Sequence, residues 1–258
     1  MILNVQGLSK HFGGLVALDQ VDLQVNTGTI HSIIGPNGAG KTTFFDVLTG
    51  ILPATAGAIS FAGRNVTNRP TNVIAQMGMA RTFQNIRLFK LMTILDNVRV
   101  GTHAWTKSNL FSALLRTRRH QREEAAVSQR ALALLAMSGL ADRKDEFAQN
   151  LPYGDQRRLE ILRALAQQPK LLLLDEPTAG MNLQETTALT DFIRRLKTDQ
   201  GLTILMIEHD MKVVMSISDV ITVLDYGKKI AEGPAAAIQN DPLVIEAYLG
   251  RGAAKKAV

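Results

Sequence analysis

Two kinds of apolar pattern alternate along the chain. Continuous apolar runs lie within residues 170–175 and 202–208, and runs of this length are typical of strands buried on both faces of a sheet. Residues 29–34 are predicted to form a further short strand. Segments 40–48 and 184–197 have the composition and spacing of helices. Apolar strands that alternate with helices predict a mostly parallel sheet with helices on both faces, which is an α/β fold.

Other segments depart from this alternation. The period-two pattern at Val21–Val25 and the run 58–61 predict further strands near the N-terminus, and 220–232 is typical of a hairpin that turns at Gly227. Between about 85 and 165 the chain is rich in helix formers, above all in 121–137. The middle of the chain is therefore predicted to be an inserted helical subdomain.

The composition is that of a globular protein and excludes several kinds of site. A length of 258 residues suits one large domain, or one domain with a subdomain. Cysteine is absent, which excludes disulfides, thiolate metal sites and a catalytic thiol. No apolar run approaches the roughly 20 residues of a membrane-spanning helix, and Met1–Val5 does not resemble the start of a secretory signal.

The net charge of +6 is mild, with 29 Lys and Arg against 23 Asp and Glu. The densest basic cluster is Arg116–Arg122. Since aromatic residues make up 5% of the chain, no basic and aromatic stacking surface for nucleic acid is expected. The cluster is interpreted either as a solvated helix face or as a contact with anionic lipid or an acidic partner.

A glycine-rich turn between a predicted strand and a predicted helix matches the phosphate-binding P-loop, G-x-x-x-x-G-K-[ST]. Its residues are Gly35, Pro36, Asn37, Gly38, Ala39, Gly40, Lys41 and Thr42. Glycines let the backbone wrap a phosphate with its N–H groups pointing inward. We expect Lys41 on the β- and γ-phosphates, the Thr42 hydroxyl on Mg²⁺ and Thr43 on the α-phosphate. The loop predicts a nucleoside triphosphate site.

A pair of carboxylates ends a second apolar strand. Leu171–Leu174 precede Asp175 and Glu176, and ligands of open α/β sheets bind at the carboxyl ends of strands. We expect Asp175 to hold Mg²⁺ through water and Glu176 to orient and deprotonate the attacking water. Together with the P-loop, the pair predicts an ATPase.

Further motifs follow in the order found in the ATP-binding cassettes of ABC transporters, and the chain resembles that family over about residues 3–232. They are Phe12 at the position that stacks on adenine, Gln84 of the Q-loop, the signature-like segment Leu151–Leu159, the D-loop segment Pro177–Asn182 and the switch histidine His209. The resemblance implies a P-loop NTPase fold: a RecA-like core with an antiparallel β subdomain, made of residues 1–86 and 166–235. Residues 87–165 would form the helical subdomain with the signature, and 236–258 a C-terminal extension.

The resemblance also implies roles for individual residues. Two cassettes close head-to-tail on two ATP molecules, so that each site combines one chain's P-loop with the other chain's signature. The implied catalytic residues are Glu176, His209, Gln84 and Lys41. The implied nucleotide-binding residues are Phe12, the P-loop residues Gly35–Thr42, Thr43, and, across the dimer, Tyr153, Gly154 and Asp155. Thr42, Gln84 and Asp175 are the implied Mg²⁺ ligands.

Four sequence segments are similar to the branched-chain amino acid uptake (LivG-type) cassettes in particular: Phe12–Leu18, Ala80–Phe89, Gln156–Ile161 and Ala247–Gly250. That branch implies an importer for branched-chain or related amino acids. Its partners would be a second cassette, either a paralogue or another copy of the chain, two transmembrane permeases and, indirectly, a periplasmic solute-binding protein. The cassette would lie peripherally on the cytoplasmic face of the inner membrane and bind no nucleic acid.

Other functions share parts of this pattern. A lipopolysaccharide-export cassette has the same Arg-Thr-Phe-Gln wording at 81–84, and importers of amides or urea belong to the same branch. A DNA-repair or translation ATPase would need a long coiled-coil insert or two cassettes in one chain. A non-hydrolysing regulatory protein is disfavoured by the presence of Glu176 and His209.

Three residues depart from the usual family pattern. Pro152 stands in place of the signature serine, Asp155 in place of glutamine, and Asn182 in place of the D-loop aspartate. Proline is tolerated at a first helical position, so the fold should not suffer. Because Pro152 removes a hydroxyl and an N–H, we expect the ATP site completed by this signature to be the weaker of the two.

Overall fold

The computed structural model describes residues 1–102 and 118–249, which form ten strands and nine α-helices. The strands are β1 (Leu3–Phe12), β2 (Leu15–Val25), β3 (Ile30–Ile34), β4 (Ala56–Phe61), β5 (Arg64–Asn65), β6 (Met79–Arg81), β7 (Leu171–Asp175), β8 (Thr203–Ile207), β9 (Val220–Asp225) and β10 (Lys228–Gly233). The helices are α1 (Lys41–Leu48), α2 (Thr71–Gln76), α3 (Ile94–Gly101), α4 (Arg118–Ser138), α5 (Tyr153–Leu165), α6 (Leu183–Gln200), α7 (Met211–Ile217), α8 (Ala235–Gln239) and α9 (Pro242–Leu249).

The larger sheet has six strands in the order β10-β9-β3-β8-β7-β6. Neighbouring strands from β9 to β6 run parallel, and β10 closes the edge antiparallel to β9. Every residue of β3, β7 and β8 is buried, including the polar His31 and Ser32 of β3, as expected for strands covered on both faces. The predicted mostly parallel sheet and the hairpin around Gly227 are confirmed.

A smaller antiparallel sheet has the order β2-β1-β4-β5. Its inward residues share one buried cluster with Phe44 and Phe45 of α1 and with Leu173 and Leu205 of the larger sheet. Helix α1, which follows the P-loop, is therefore packed in a core to which both sheets contribute. This packing fixes the position of the phosphate-binding turn.

Helices α3, α4 and α5 lie in the region predicted to be helical. Their apolar residues pack with Leu172 and Ile204 of the larger sheet in a second buried cluster. Helix α3 approaches α5 closely at Gly101, where a Cβ atom would lie 2.1 Å from the carbonyl oxygen of Arg163. Glycine is required there because any side chain would collide with the α5 backbone.

Several element boundaries differ from the sequence prediction. Strand β2 begins at Leu15, well before the predicted alternation, because it pairs with β1 up to Phe12↔Leu15. Helix α6 extends the predicted 184–197 at both ends, to Leu183–Gln200. The stretch 103–117, with Arg116 of the basic cluster, and the tail 250–258 lie outside the described residues, whereas the rest of the cluster lies at the start of α4. Across the described ranges, no helix has the length and apolar character needed to cross a bilayer.

Candidate active site

The P-loop turn connects β3 to α1, as predicted. Its last glycine, Gly40, caps α1 in the left-handed conformation at φ 97°, and no side chain caps this helix end. The first N–H groups of a helix have no intrahelical partner, and the positive end of the helix dipole attracts anions. The start of α1 is therefore suited to bind a phosphate group.

Lys41 is folded back along the P-loop. Its Nζ donates to the carbonyl oxygens of Gly35 at 2.7 Å and Pro36 at 2.9 Å. Burial lowers the pKa of Lys41, and the carboxylates of Glu176 and Asp175 act in the opposite direction. The ammonium group is thus held in the loop by neutral carbonyls. A triphosphate can replace these carbonyls as the acceptor of its hydrogen bonds.

Asp175 ends β7 and is bound by an arginine that the sequence patterns did not single out as functional. Arg81 Nη2 lies 2.8 Å from Asp175 Oδ2, and Arg81 Nη1 lies 2.6 Å from Asp46 Oδ1 in α1. Arg81 is nearly inaccessible, with 6% of its side chain exposed. This guanidinium links the expected Mg²⁺ ligand to the helix that follows the P-loop, and it fixes one carboxylate oxygen of Asp175.

Two other predicted catalytic residues, Gln84 and His209, approach the carboxylate of Glu176, which follows Asp175. Gln84 Nε2 donates to Glu176 Oε2 at 2.8 Å, and His209 Nδ1 lies 3.6 Å from the same oxygen. Glu176 itself has a positive φ of 46°, an unfavourable conformation for a non-glycine residue that is often found at functional sites. The motif-based expectation that these distant segments converge agrees with this geometry.

Glu208, beside the histidine, was not predicted as a site residue. It is fully buried, and its carboxylate accepts hydrogen bonds from the backbone N–H and hydroxyl of Thr178 and from the backbone N–H of His209. Glu208 therefore ties the D-loop to the segment that carries His209. An acidic residue at the end of an apolar strand was a possible signal for this role.

An open cleft of about 470 Å³ lies beside the P-loop. Its lining includes Phe12, Asn37, Gly38, Ala39, Gly40, Lys41, Thr42, Thr43, Gln84 and Glu176 from the predicted set, together with Leu15, Val16, Ala17 and Tyr226. Phe12 is 44% exposed, with Lys10 Nζ 4.9 Å from its ring centroid. A cleft of this size, with an aromatic residue near a phosphate-binding turn, suits a nucleotide.

Tyr153, Gly154 and Asp155 do not line this cleft. They form the first turn of α5, where the Tyr153 hydroxyl donates to the carbonyl oxygen of Ala179 at 3.1 Å. The Asp155 carboxylate lies 3.4 Å from Arg158 and 3.6 Å from Arg143, which offset its charge. Within one chain, the signature-like segment is therefore separate from the phosphate-binding turn.

Pro152 lies one residue earlier than predicted. It is the N-cap of α5, with φ −53° and ψ 154°, and the prediction placed it at the first helical position. The fold accommodates it, as expected, because an extended N-cap conformation is compatible with the fixed φ of proline. No side chain caps this helix end.

Arg157 joins α5 to the Q-loop and was also not predicted as a functional residue. Its Nη1 donates to the carbonyl oxygen of Phe83 at 2.7 Å, and its Nη2 donates to that of Gln84. Glu160 pairs with Arg157 at 3.3 Å, and burial raises the pKa of Glu160. The segment that carries Gln84 is therefore bound to the signature helix by a buried guanidinium group.

The donors expected for Mg²⁺ fit its chemistry. This cation binds proteins through one or two carboxylates together with waters and substrate phosphates. Asp175 offers the carboxylate oxygen that Arg81 does not occupy, and the Thr42 hydroxyl is exposed in the cleft. Among the described residues no cluster of three or more His, Asp or Glu forms a complete protein cage.

A P-loop between β3 and α1, with carboxylates at the end of β7, defines a P-loop ATPase. The sequence model of the ABC transporter family matches residues 18–179, and that of the branched-chain amino acid ATP-binding cassette transporter family matches 228–254. The chain belongs to the ABC transporter family and is one of its ATP-hydrolysing, ATP-binding cassettes.

Named relatives cover almost the whole chain. The high-affinity branched-chain amino acid transport ATP-binding protein LivG of Salmonella typhimurium is 47% identical over 96% of this chain and 98% of its own length. The high-affinity branched-chain amino acid transport ATP-binding protein BraF of Pseudomonas aeruginosa is 44% identical over 96% of this chain and 98% of its own length. The crystal structure of MJ1267, an ATP-binding cassette of an ABC transporter, in its ADP conformation has a TM-score of 0.84 at 35% identity, covering 97% of this chain and 99% of that one.

Proposed function

We propose that this chain is the ATP-hydrolysing subunit of an importer for branched-chain or related amino acids. The observation that supports the solute is the 47% identity to LivG of Salmonella typhimurium over nearly the full length of both chains. The match of residues 228–254 to the branched-chain amino acid cassette family supports the same branch. It favours this importer over a lipopolysaccharide-export cassette.

In the proposed mechanism, the P-loop and Lys41 bind the triphosphate while Glu176 takes a proton from the attacking water. Gln84 and His209, both close to Glu176 Oε2, orient that water and the carboxylate. Mg²⁺, held through Asp175 and Thr42, would neutralise charge on the phosphates. Phe12 stacks on the adenine. Arg81 keeps Asp175 oriented toward the site.

We further propose that ATP closes a head-to-tail dimer in which Tyr153, Gly154 and Asp155 face the nucleotide of a second cassette. Their separation from this chain's own cleft supports that arrangement. The start of α5 carries no side-chain cap, so its N–H groups can meet a γ-phosphate. With Pro152 in place of a serine and Asn182 used as the cap of α6, the site completed by this signature is proposed to be the weaker one.

The remaining partners follow from the importer role. The cassette would lie at the cytoplasmic face of the inner membrane, where its helical subdomain, residues 87–165, would contact two transmembrane permeases. A periplasmic protein would deliver the solute to the permeases. The second cassette is proposed to be a paralogue. Because Arg157 of α5 binds the carbonyl oxygen of Phe83, a movement of the Q-loop would also move α5, which belongs to the helical subdomain that contacts the permeases.

Deleting the gene and measuring uptake tests the solute. Cells that lack the chain should lose uptake of radiolabelled leucine, and the wild-type chain should restore it, whereas Lys41→Ala should not. Native membranes should yield the chain together with a second cassette and two permeases, identified by mass. Normal leucine uptake combined with loss of amide or urea uptake would show that the solute is an amide or urea. Co-purification with export partners would show that the chain serves an exporter and not an importer.

A further inference from the structure

The hairpin between β9 and β10 reaches the rim of the ATP cleft with a residue whose backbone conformation is unfavourable. Asp225 pairs with Lys228, so Tyr226 and Gly227 form a two-residue turn. Their φ angles are 42° and 77°, and positive φ at both positions is the signature of a type I′ turn. Asn, Asp and Gly are favoured at the first position, and a bulky aromatic residue there is disfavoured.

The turn is clamped onto the phosphate-binding loop. Gly227 donates its N–H to the carbonyl oxygen of Ala39 at 3.1 Å, and its own carbonyl accepts from Asp19 N–H at 2.9 Å. A Cβ atom at Gly227 would lie 2.6 Å from the carbonyl oxygen of Ala17, so the β2 backbone passes directly against it. The backbone of Tyr226 is therefore fixed relative to the P-loop and to the hairpin of β1 and β2 that carries Phe12.

The side chain of Tyr226 adds nothing visible to the stability of the fold. It is 85% exposed, the highest value among the exposed large apolar and aromatic side chains of the described residues, and it lines the same cleft as Phe12. An exposed aromatic in an unfavourable conformation, fixed at the edge of a substrate cleft, indicates a function for the side chain rather than a role in packing.

We propose that Tyr226 is a second aromatic contact for the nucleotide, packing against the base of bound ATP opposite or beside Phe12. The inference rests on ATP use by the cassette and does not depend on which solute is carried. Aromatic side chains pack on purines through their faces and edges, and such contacts tolerate different bases. Tyr226 would then set nucleotide affinity without taking part in hydrolysis.

The decisive variant is Tyr226→Asn, because asparagine is favoured in this turn. A purely structural tyrosine would lose stability and affinity together on replacement. A nucleotide contact predicts opposite changes: a melting temperature without nucleotide that is unchanged or higher, and affinity for Mg-ATP that is about five- to tenfold weaker. Tyr226→Phe should bind ATP within about twofold of wild type, since the ring remains. Lys228→Ala, next in the hairpin and 64% exposed, is the control and should bind as wild type.

Inorganic tripolyphosphate separates the base contact from an effect on the P-loop, because it has no base. Its affinity, measured by calorimetry on the full chain, should be the same for wild type and Tyr226→Asn, and the apparent KM for ATP should rise with kcat unchanged. Equal ATP affinity in Tyr226→Asn, or an equal loss for tripolyphosphate, would overturn the proposal. A wild-type chain that binds no ATP would instead contradict the cassette's function.

Discussion

At the scale of single residues, the site is built around one carboxylate oxygen. Glu176 Oε2 accepts a hydrogen bond from Gln84 and lies 3.6 Å from His209, although these residues come from three separate parts of the chain. The backbone of Glu176 is in the left-handed region, which costs on the order of 1–3 kcal/mol. That strain is reasonable where the carboxylate must point into the cleft and away from the strand that carries it.

Glu176→Gln should therefore separate binding from hydrolysis. The amide keeps the size of the side chain but cannot accept the proton of water, so phosphate release should fall by about 10²–10⁴. ATP should still bind, and the closed dimer should accumulate. Phosphate release and ATP binding are measured on the same preparation, with the 59% exposed Glu124→Gln as the control. Normal turnover of Glu176→Gln would rule out its role as the base.

Residue roles could be predicted from sequence where a local motif fixes the neighbours. Lys41 and Glu176 follow strands in a recognisable order, and the structure brings them to one region. Arg81 and Arg157 could not be assigned in this way, because their partners lie far along the chain: Arg81 binds Asp175, 94 positions away, and Arg157 binds Phe83, 74 positions away. No periodicity encodes such contacts.

At the scale of elements, the start of α5 shows how a sequence departure becomes a structural one. Pro152 occupies the N-cap without providing a side-chain hydrogen bond, and Asp155 in the first turn is held by two arginines. Most elements were predictable because buried strands and helices differ in apolar period. Boundaries set by pairing, such as the start of β2 at Leu15, depend on contacts with another strand and were not predictable.

Pro152→Ser should restore both a side-chain cap for α5 and a hydroxyl that donates a hydrogen bond to the phosphate. A serine N-cap stabilises a helix by about 1 kcal/mol, and one added hydrogen bond to the γ-phosphate of the opposite site should raise ATPase of the assembled transporter by about fivefold. Pro152→Ala is the matched control, since it removes proline without adding a hydroxyl. An unchanged rate in the serine variant would contradict the proposal that this signature weakens one site.

At the scale of the whole molecule, the two sheets, α1 and the helical region are joined through strands whose side chains are buried on both faces. Some of the buried side chains are polar, and His31 is one of them. His31 of β3 is 1% exposed, its Nε2 is 2.7 Å from Thr222 Oγ1, and that hydroxyl donates to Glu232. Burial lowers the pKa of His31 from 6.5 to about 4, although Glu232 raises it and Lys229 lowers it further.

This shift predicts how global stability depends on pH. Between pH 6.5 and 4 the unfolded chain binds a proton at His31 and the folded chain does not, so stability is lost as the pH falls through that window. At pH 5 the loss from this residue is about 2 kcal/mol. Urea unfolding of wild type and His31→Gln at pH 7.5 and 5 measures it, because carboxylates contribute equally to both proteins. The pH dependence of His31→Gln should be smaller by that amount, whereas exposed His11→Gln should follow wild type. If all three proteins lose the same stability, His31 is not a buried neutral imidazole.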